Sequence, residues 1–443
     1  MYDTVAQYGQ VLGGPVDDWH PPIMVRLWQL LHPLAAGTAP IFALQVALYV
    51  AGFGLIVAAL MRNARPRAAV AAAVLAISPL LLGWQMVVLK DTQMLGALVA
   101  ACGVVAHYWL AQRRMPALAV ALVVVLMSYA TLVRANALFV TVPLAVLLLP
   151  TRKRPLVSVP LAMLGVAVIL AMTPIINHRL LGAEPGDVAK SQPVFDLAAI
   201  AVATPRSPSP FTPAELQQIE RRHCVKAFFW DPLGDPTGCS AATERLMKAS
   251  AGQLYLELAR EAARHPVAYL RHRLQHWNST ERWLVAPGWP DAAPPVEAEP
   301  NDLGLGTPWS GIAAVWQDVA AAGAATPLGW PIIWTLIALL LLPAAWRRRE
   351  NAAGSLALAL IASALILELS FLAISIASDL RYHLWPITAS ALALILLSDN
   401  LKPRKWIAAG AALTVVAAGG LIARSTLAPA PDTYEGMIHA ASG

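Results

Sequence analysis

Four short clusters of ionisable residues interrupt an otherwise apolar chain, and they hold the side chains that could do chemistry. An aspartate can take a proton from a hydroxyl group or hold a divalent metal. Lysine and arginine side chains can neutralise a phosphate group. Acids and cations beside lipid suit a reaction at a lipid-linked phosphate. The clusters supply Asp17, Asp18 and His20 in DDWHPP, Lys90 and Asp91 in VVLKDTQ, Arg134 and Asn136 in LVRANAL, and Asp379, Arg381, Tyr382 and His383 in SDLRYHLWP.

The composition around these clusters is that of a membrane protein. Only 13% of the 443 residues are charged and 58% are hydrophobic, whereas charged residues make up about 25% of an ordinary soluble protein. These values exclude a disordered protein, a soluble enzyme of ordinary composition and a disulfide scaffold. The sequence also has no GxxxxGKS/T phosphate-binding loop, which argues against an ATP-driven pump.

Apolar stretches of about 17–25 residues are typical of helices that cross a membrane. The sequence has ten such stretches, six before a long polar segment and four after it. The predicted fold is therefore an all-α polytopic membrane protein, with a six-helix region at 39–176 and a four-helix region at 328–424. The stretches lie at 39–61, 68–85, 92–111, 117–133, 135–149, 156–176, 328–345, 352–378, 383–397 and 406–424.

The loops between these stretches predict which side of the membrane each one faces, because basic residues concentrate on cytoplasmic loops. Every second loop carries two or three basic residues, whereas the short loops between them carry one each, Lys90, Arg134 and Arg381. The rule places all four polar clusters on the outer face. The alternative is that short loops simply need polar residues, and that Arg134 and Arg381 reach lipid headgroups. The predicted cytoplasmic residues are Arg62, Arg65, Arg67, Arg113, Arg114, Arg152, Lys153, Arg154, Arg347, Arg348, Arg349, Lys402, Arg404 and Lys405.

The polar segment 177–327 is predicted to be a mostly helical extracytoplasmic domain. Thr212, followed three residues later by Glu215, fits the start of a helix. Residues 241–285 carry apolar residues at helical spacing, and Pro266 divides them into two helices. The segment is long enough to form a small domain of its own.

Two features of this segment leave alternatives open. Basic and aromatic residues near its end, including Arg273 and Arg282, could lie on a membrane surface or form a solvated face. Cys224 and Cys239 could form a disulfide outside the cytoplasm, or they could be two separate thiols. Glu368, an acid within a predicted span, receives no role from the sequence.

The same orientation places the first loop, 1–38, and the tail, 425–443, outside the cytoplasm. No apolar stretch precedes residue 39 to carry the first loop across the membrane. One interpretation is that a first membrane helix is missing from the sequence. The alternative is that the stretch 39–61 inserts as a reverse signal anchor.

The arrangement resembles the GT-C superfamily of membrane glycosyltransferases and is most similar to family 39, the protein mannosyltransferase and lipid A aminoarabinose transferase type. The resemblance rests on an acidic residue shortly before a His-Pro-Pro stretch, here DDWHPP, on a soluble segment in mid-chain, and on the late pair Arg381-Tyr382. The opening MYDTVAQYGQ resembles the stretch after the first membrane helix of many bacterial members. It therefore favours a missing first helix.

The resemblance implies transfer of a sugar from a polyprenyl-phosphate donor to a hydroxyl or lipid acceptor, at the outer face of the bacterial inner membrane. It implies that Asp17 or Asp18 is the general base. The one cofactor that it leaves open is a divalent metal, which either aspartate could hold. It implies that the domain 177–327 helps to choose the acceptor. The partners that it implies include membrane lipids and do not include nucleic acid. It implies that Lys90, Arg134 and Arg381 hold the donor phosphate, with His20, Asp91, Asn136, Tyr382 and His383 binding substrate.

Two other functions fit a chain of this class. A flippase or transporter of lipid-linked glycans would carry polar residues deep in the membrane and inverted repeats, and the sequence shows only Glu368 at such depth. A polysaccharide polymerase or ligase would also act outside the cytoplasm on lipid-linked glycans. Its dominant feature would be arginine and histidine residues in a large outer loop.

Overall fold

The computed structural model describes residues 2–149, 155–205, 209–306, 308–400 and 403–439. Within these ranges the chain is helical, and pairing of extended backbone is limited to two isolated bridges, one between Asp17 and Glu184 and one between Phe229 and Ala377. The predicted all-α class is confirmed. The predicted cytoplasmic residues Arg152, Lys153, Arg154 and Lys402 lie outside the described residues.

The chain divides into two compact units. The first unit comprises Met1–Pro185, Ala292–Glu368 and Arg381–Thr414, and the second comprises Gly186–Asp291, Leu369–Leu380 and Val415–Gly443. Residues 186–291 of the predicted domain 177–327 therefore belong to the second unit. Residues 177–185 and 292–327 of that domain belong to the first unit.

The N-terminal part of the first unit begins with two short helices, and both long and short helices follow residue 39. The last of them, Pro155–Pro174, continues into a π-helical turn, Ile175–Leu180. These helices are α1 (Tyr2–Val11), α2 (Pro22–Leu31), α3 (Ala39–Arg62), α4 (Pro66–Ala76), α5 (Pro79–Gln85), α6 (Lys90–Trp109), α7 (Ala117–Val133), α8 (Leu138–Leu148) and α9 (Pro155–Pro174).

The remaining helices belong to the second unit or follow it. In the second unit, the helix Val188–Ala203 packs against the helices Ala251–Arg264 and Pro266–Thr280. A 3-10 turn, Leu380–His383, leads into the helix Leu384–Leu397. The helices are α10 (Val188–Ala203), α11 (Pro213–Arg221), α12 (Asp231–Gly234), α13 (Ser240–Met247), α14 (Ala251–Arg264), α15 (Pro266–Thr280), α16 (Gly311–Ala325), α17 (Pro331–Arg347), α18 (Ala352–Ile374), α19 (Leu384–Leu397), α20 (Pro403–Thr426) and α21 (Tyr434–His439).

All ten predicted membrane stretches coincide with helices. Five apolar segments in the described ranges are long enough to cross a membrane, and a sixth results if α4 and α5, bent by 49° at their junction, form one span. Three further apolar helices are shorter, and a crossing by all ten stretches stays a prediction. The five long segments are Ala39–Arg62, Val157–Leu180, Ala352–Ile374, Leu380–Leu397 and Ile407–Thr426.

Glycine lets α3 and α6 approach closely. A Cβ atom at Gly52 of α3 would lie 2.5 Å from the backbone nitrogen of Ala100, and one at Gly103 of α6 would lie 2.5 Å from the carbonyl oxygen of Gly52. Such small residues allow backbone contact between membrane helices, where packing rather than hydrophobicity drives association. This contact fixes α6, whose first residues are Lys90 and Asp91.

Buried amides hold the turn before α6. Gln45 donates to the carbonyl oxygens of Gln85 and Val87, at 2.8 and 3.0 Å. Gln93 donates to the side chain of Gln45 at 3.1 Å and accepts from the Tyr129 hydroxyl at 3.1 Å. A buried amide without these partners would carry a desolvation cost. The network therefore favours one position for the turn that precedes Lys90.

The first loop is folded rather than open. Its two helices, α1 and α2, bury Tyr8, Met24 and Trp28 in a cluster with Ile41 and Val88. The indole nitrogen of Trp28 also donates to the carbonyl oxygen of Gly37 at 3.0 Å. Aromatic burial of this kind contributes strongly to packing. It holds α1, and with it Asp3, near the start of α6.

In the second unit the structure confirms the predicted helix start and pairs the two cysteines. The Thr212 hydroxyl accepts from the backbone nitrogen of Glu215 at 3.3 Å, and the Glu215 carboxylate accepts from the backbone nitrogen of Thr212 at 2.8 Å. Cys224 and Cys239 are joined in a disulfide, so the alternative of two separate thiols does not apply to this structure.

Arg273 and Arg282 are buried, so both sequence interpretations of a basic surface were wrong for them. Arg273 is 1% exposed, lies 3.1 Å from the carboxylate of Asp196 and donates to three backbone carbonyls between residues 371 and 375. Burial alone would raise the pKa of Asp196, but the hydrogen bond from His272 and the charge of Arg273 lower that pKa below its usual value. The pair therefore stays charged and anchors the segment 369–380 within this unit.

We expect Arg273→Met to lower the free energy of unfolding by about 3–5 kcal/mol, because it leaves the Asp196 carboxylate buried beside His272 and Gln192 without the charge of Arg273. Arg271→Met is the matched control, since Arg271 is exposed on the same helix. Thermal unfolding in detergent measures both. Equal unfolding temperatures for the two variants would contradict a structural role for the buried ion pair.

Candidate functional site

Charged side chains from four parts of the first unit meet at one place. Asp3 comes from α1, Lys90 and Asp91 begin α6, Arg134 follows α7, and Arg381 lies in the turn before α19. The sequence predicted that Lys90, Arg134 and Arg381 would act together, and the structure brings them together around two carboxylates.

Asp3 lies between two cations. Its Oδ2 atom is 2.9 Å from Nη1 of Arg381 and 3.3 Å from Nζ of Lys90, and its side chain is 15% exposed. Burial would raise the pKa of Asp3, but the charges of Lys90 and Arg381 outweigh it and hold that pKa far below the usual value. Asp3 is therefore an anion throughout the physiological pH range.

Asp91 is the second carboxylate of the cluster and is fully buried. Its Oδ1 atom forms an ion pair with Nη1 of Arg134, and its Oδ2 atom lies 3.8 Å from Nε of Arg381. The Nε atom of Arg134 donates to the Asn136 side chain at 2.8 Å. Arg381 is therefore shared between the two carboxylates.

The ring of Tyr382 lies beneath both arginines. The guanidinium carbon of Arg134 is 4.0 Å from the ring centroid, and that of Arg381 is 5.5 Å away. Cations within about 6 Å of an aromatic centroid are attracted by the ring electrons. Tyr382 thus contacts both of the guanidinium groups that lie near the Asp91 carboxylate.

Local sequence explains why these groups lie at helix ends. The Thr92 hydroxyl accepts from the backbone nitrogen of Leu89 at 3.1 Å, which stabilises the start of α6 at Lys90. An acid in the first turn, here Asp91, is favoured by the positive end of the helix dipole. Arg134 has an extended backbone that ends α7.

His20 lies beside the cluster and is 4% exposed. Burial and the charge of Lys90 lower the pKa of His20 to about 4, against the opposing effect of Asp3 and Asp17. The imidazole is therefore neutral at pH 7. Its predicted place near the substrate site is consistent with this location, and binding by His20 stays a prediction.

In the structure, the side chains of Asp17 and Asp18 contact other groups. The Asp17 side chain accepts from the backbone nitrogen of Trp19 at 3.0 Å, and the Asp18 carboxylate lies 3.1 Å from Nε2 of His178. Asp3, which the sequence reasoning did not select, is the acid between the cations. A signal was present, because Asp3 is the acid of the polar opening stretch MYDTVAQYGQ.

The side chain of His383 contacts a different group from that of its neighbour Tyr382. Its Nδ1 atom lies 2.8 Å from both carboxylate oxygens of Glu368, and both residues are buried. The structure therefore gives a partner to Glu368, and the predicted substrate contact of His383 stays a prediction.

The cluster around Asp3 fits an anion better than a metal. Two cations already lie within 3.3 Å of the Asp3 carboxylate, and their charge would oppose a divalent cation at that position. In the parts of the chain that the structure describes, no three His, Cys, Asp or Glu side chains are grouped as metal ligands. A metal at Asp17 or Asp18 stays a prediction.

A cavity of about 560 Å³ adjoins the chain segments that carry Asp3 and Lys90. Thr4 lines it directly after Asp3, and Val88 lines it two residues before Lys90. The Thr4 hydroxyl donates to the carbonyl oxygen of Val88 at 2.6 Å and joins these two segments. The other lining groups are mostly apolar, among them Phe42, Met86, Val87, Val296, Leu305 and Trp309.

The depressed pKa of His20 predicts acid sensitivity. The unfolded chain takes up a proton at His20 near pH 6.5, whereas the folded chain does so only near pH 4. Stability from this residue is therefore complete above pH 6.5 and falls by roughly 3 kcal/mol as the pH drops to about 4. Thermal unfolding of the protein and of a His20→Gln variant from pH 7.5 to 4 measures the difference.

The variant should lose less stability than the protein over this interval. His276, whose pKa burial and the charge of Arg273 also lower, contributes equally to both proteins and cancels in the comparison. Parallel curves for the two proteins would contradict the neutral state of His20.

Comparison of the chain with protein-family models, with curated proteins and with solved structures gives no match. The geometry of the charged cluster is therefore the basis on which a function can be argued.

Proposed function

We propose that the protein transfers a sugar from a polyprenyl-phosphate donor to a hydroxyl group of an acceptor, at the outer face of a membrane. The observation that carries the proposal is the meeting of Lys90, Arg134 and Arg381 around the carboxylates of Asp3 and Asp91. Three cations with two acids leave one positive charge to be neutralised, which suits one phosphate group.

The cations would act on the leaving group. When the bond between the sugar and the phosphate breaks, the phosphate gains negative charge. Fixed cations in a partly buried place stabilise such developing charge more than water does. Arg134 and Arg381 both lie near the Asp91 carboxylate, so both could bind oxygens of one phosphate.

Asp3 replaces Asp17 and Asp18 as our candidate for the general base. Its carboxylate would take the proton of the acceptor hydroxyl while the hydroxyl oxygen forms a bond to the sugar carbon and the carbon–oxygen bond to the phosphate breaks. The products are the glycosylated acceptor, protonated Asp3 and polyprenyl phosphate. Asp3 then returns its proton to solvent.

Donor binding would also adjust the basicity of Asp3. Without a donor, Lys90 and Arg381 lower the pKa of Asp3 so far that it is a poor base. A donor phosphate that binds the same two cations offsets part of their charge, and the pKa of Asp3 then rises toward a useful value. The base would thus become effective only when the donor is in place.

The cavity beside Thr4 offers a place for the acceptor. Its mostly apolar lining suits an acceptor with an apolar body. The polyprenyl chain of the donor would remain in lipid, which is the medium around the apolar helices.

We expect Asp3→Asn to lower sugar transfer at least about a hundredfold, because general-base catalysis is worth about that much or more. Membranes that contain the protein would be supplied with a panel of radiolabelled undecaprenyl-phosphate sugars, and label transferred to an acceptor would be counted. Asp17→Asn and Asp18→Asn are the matched controls and should retain transfer. If Asp3→Asn retains sugar transfer and one of the two controls loses it, the general base is the residue changed in that control.

We expect Lys90→Met to weaken binding of undecaprenyl phosphate about tenfold or more, because it removes a charge-assisted hydrogen bond to the phosphate. The purified protein in detergent would be titrated with undecaprenyl phosphate, and binding would be followed by the rise in unfolding temperature. Arg65→Met, which removes an ion pair with Asp399 on the predicted cytoplasmic side, should bind as the unaltered protein does. Equal binding of undecaprenyl phosphate by the two variants would contradict the assignment of the phosphate to this cluster.

A further inference from the structure

Glu368 is a buried acid that the proposed reaction does not use. It lies in α18, is 2% exposed, and places both carboxylate oxygens 2.8 Å from Nδ1 of His383, which is 0% exposed. An ionisable side chain at such a position is costly in a membrane protein and marks a functional candidate. The contact joins α18 to the residue that directly precedes α19.

His383 is the last residue of the short turn that supplies two cluster residues. The 3-10 turn Leu380–His383 carries Arg381 and Tyr382. With about three residues in each turn of such a helix, adjacent side chains leave it in different directions. His383 accordingly reaches Glu368, whereas Arg381 reaches Asp3 at 2.9 Å.

We propose that Glu368 is a positioning residue that holds His383 and thereby fixes Arg381 and Tyr382 for phosphate binding. The proposal rests on the function proposed above for the charged cluster. Glu368 does not touch the substrate; it sets the rotation of the turn about its axis. Without the hydrogen bond between Glu368 and His383, the turn can rotate and Tyr382 leaves its place 4.0 Å from the Arg134 guanidinium.

A second hydrogen bond between the same helices provides a control. The indole nitrogen of Trp385 donates to the Ser363 hydroxyl at 3.1 Å, and both groups are buried. This bond joins α18 to α19 beyond the turn and lies outside the charged cluster. Its removal should weaken the helix pair without turning Arg381 or Tyr382.

The test compares Glu368→Leu, Glu368→Gln and Ser363→Ala in the full chain. Leucine removes the hydrogen-bond partner of His383, whereas glutamine keeps the shape and one acceptor oxygen. The first measurement needs no ligand: hydrogen exchange of the backbone amides in residues 380–387, followed by mass spectrometry. The second measurement is the affinity for undecaprenyl phosphate in detergent.

We expect amide exchange in the turn residues 380–383 to rise about tenfold in Glu368→Leu and to stay unchanged there in Ser363→Ala, whose lost partner Trp385 lies beyond the turn. Glu368→Gln should restore protection, which a role of the acid in overall stability alone would not predict. Affinity for undecaprenyl phosphate should fall about tenfold in Glu368→Leu and return in Glu368→Gln.

Unchanged exchange of residues 380–383 in Glu368→Leu would overturn the positioning role, whatever the ligand. Increased exchange together with unchanged affinity would also overturn it, because the turn would then move without effect on the phosphate. If the unaltered protein binds no undecaprenyl phosphate, the proposed function fails by itself, and the positioning of the turn is decided by the exchange measurement.

Discussion

The arrangement of the first unit depends on the ion pairs that the Asp3 carboxylate forms with Lys90 and Arg381. A charge that leaves water must be paired, and breaking one member of such a pair costs far more than the pair contributes. Asp3 comes from α1, Lys90 from α6 and Arg381 from the turn before α19. Three segments distant in the chain must therefore be brought to one place for any of these charges to be satisfied.

The packing around the cluster makes that meeting reproducible. Gly52 and Gly103 let α3 and α6 touch through their backbones, and buried amides fix the turn that precedes Lys90. Tyr8 and Trp28 hold α1 against the start of α3. None of these groups is charged, yet each restricts where a charged group of the cluster can lie. Rigid supports of this kind are what a preorganised anion site requires.

The sequence predicted the elements of this fold better than their contacts. Apolar runs located all ten helical stretches, because a run of that length has few other uses. The grouping of Lys90, Arg134 and Arg381 followed from the alternation of basic loops. Asp3 was missed because its partners lie at residues 90 and 381, and no local pattern shows a pairing across such distances. Arg273 was misjudged because composition treats arginine as exposed, whereas here a buried aspartate and three carbonyl groups hold it.

We propose that the cluster of Asp3, Lys90, Arg134 and Arg381 binds the phosphate of a polyprenyl donor. The most direct measurement is an experimental structure of the protein in lipid with undecaprenyl phosphate added. The claim predicts phosphate density within ion-pair distance of Lys90 and Arg381, with Asp3 displaced from at least one of these cations. Density for the phosphate at another surface, with the contacts of Asp3 to both cations unchanged, would contradict it.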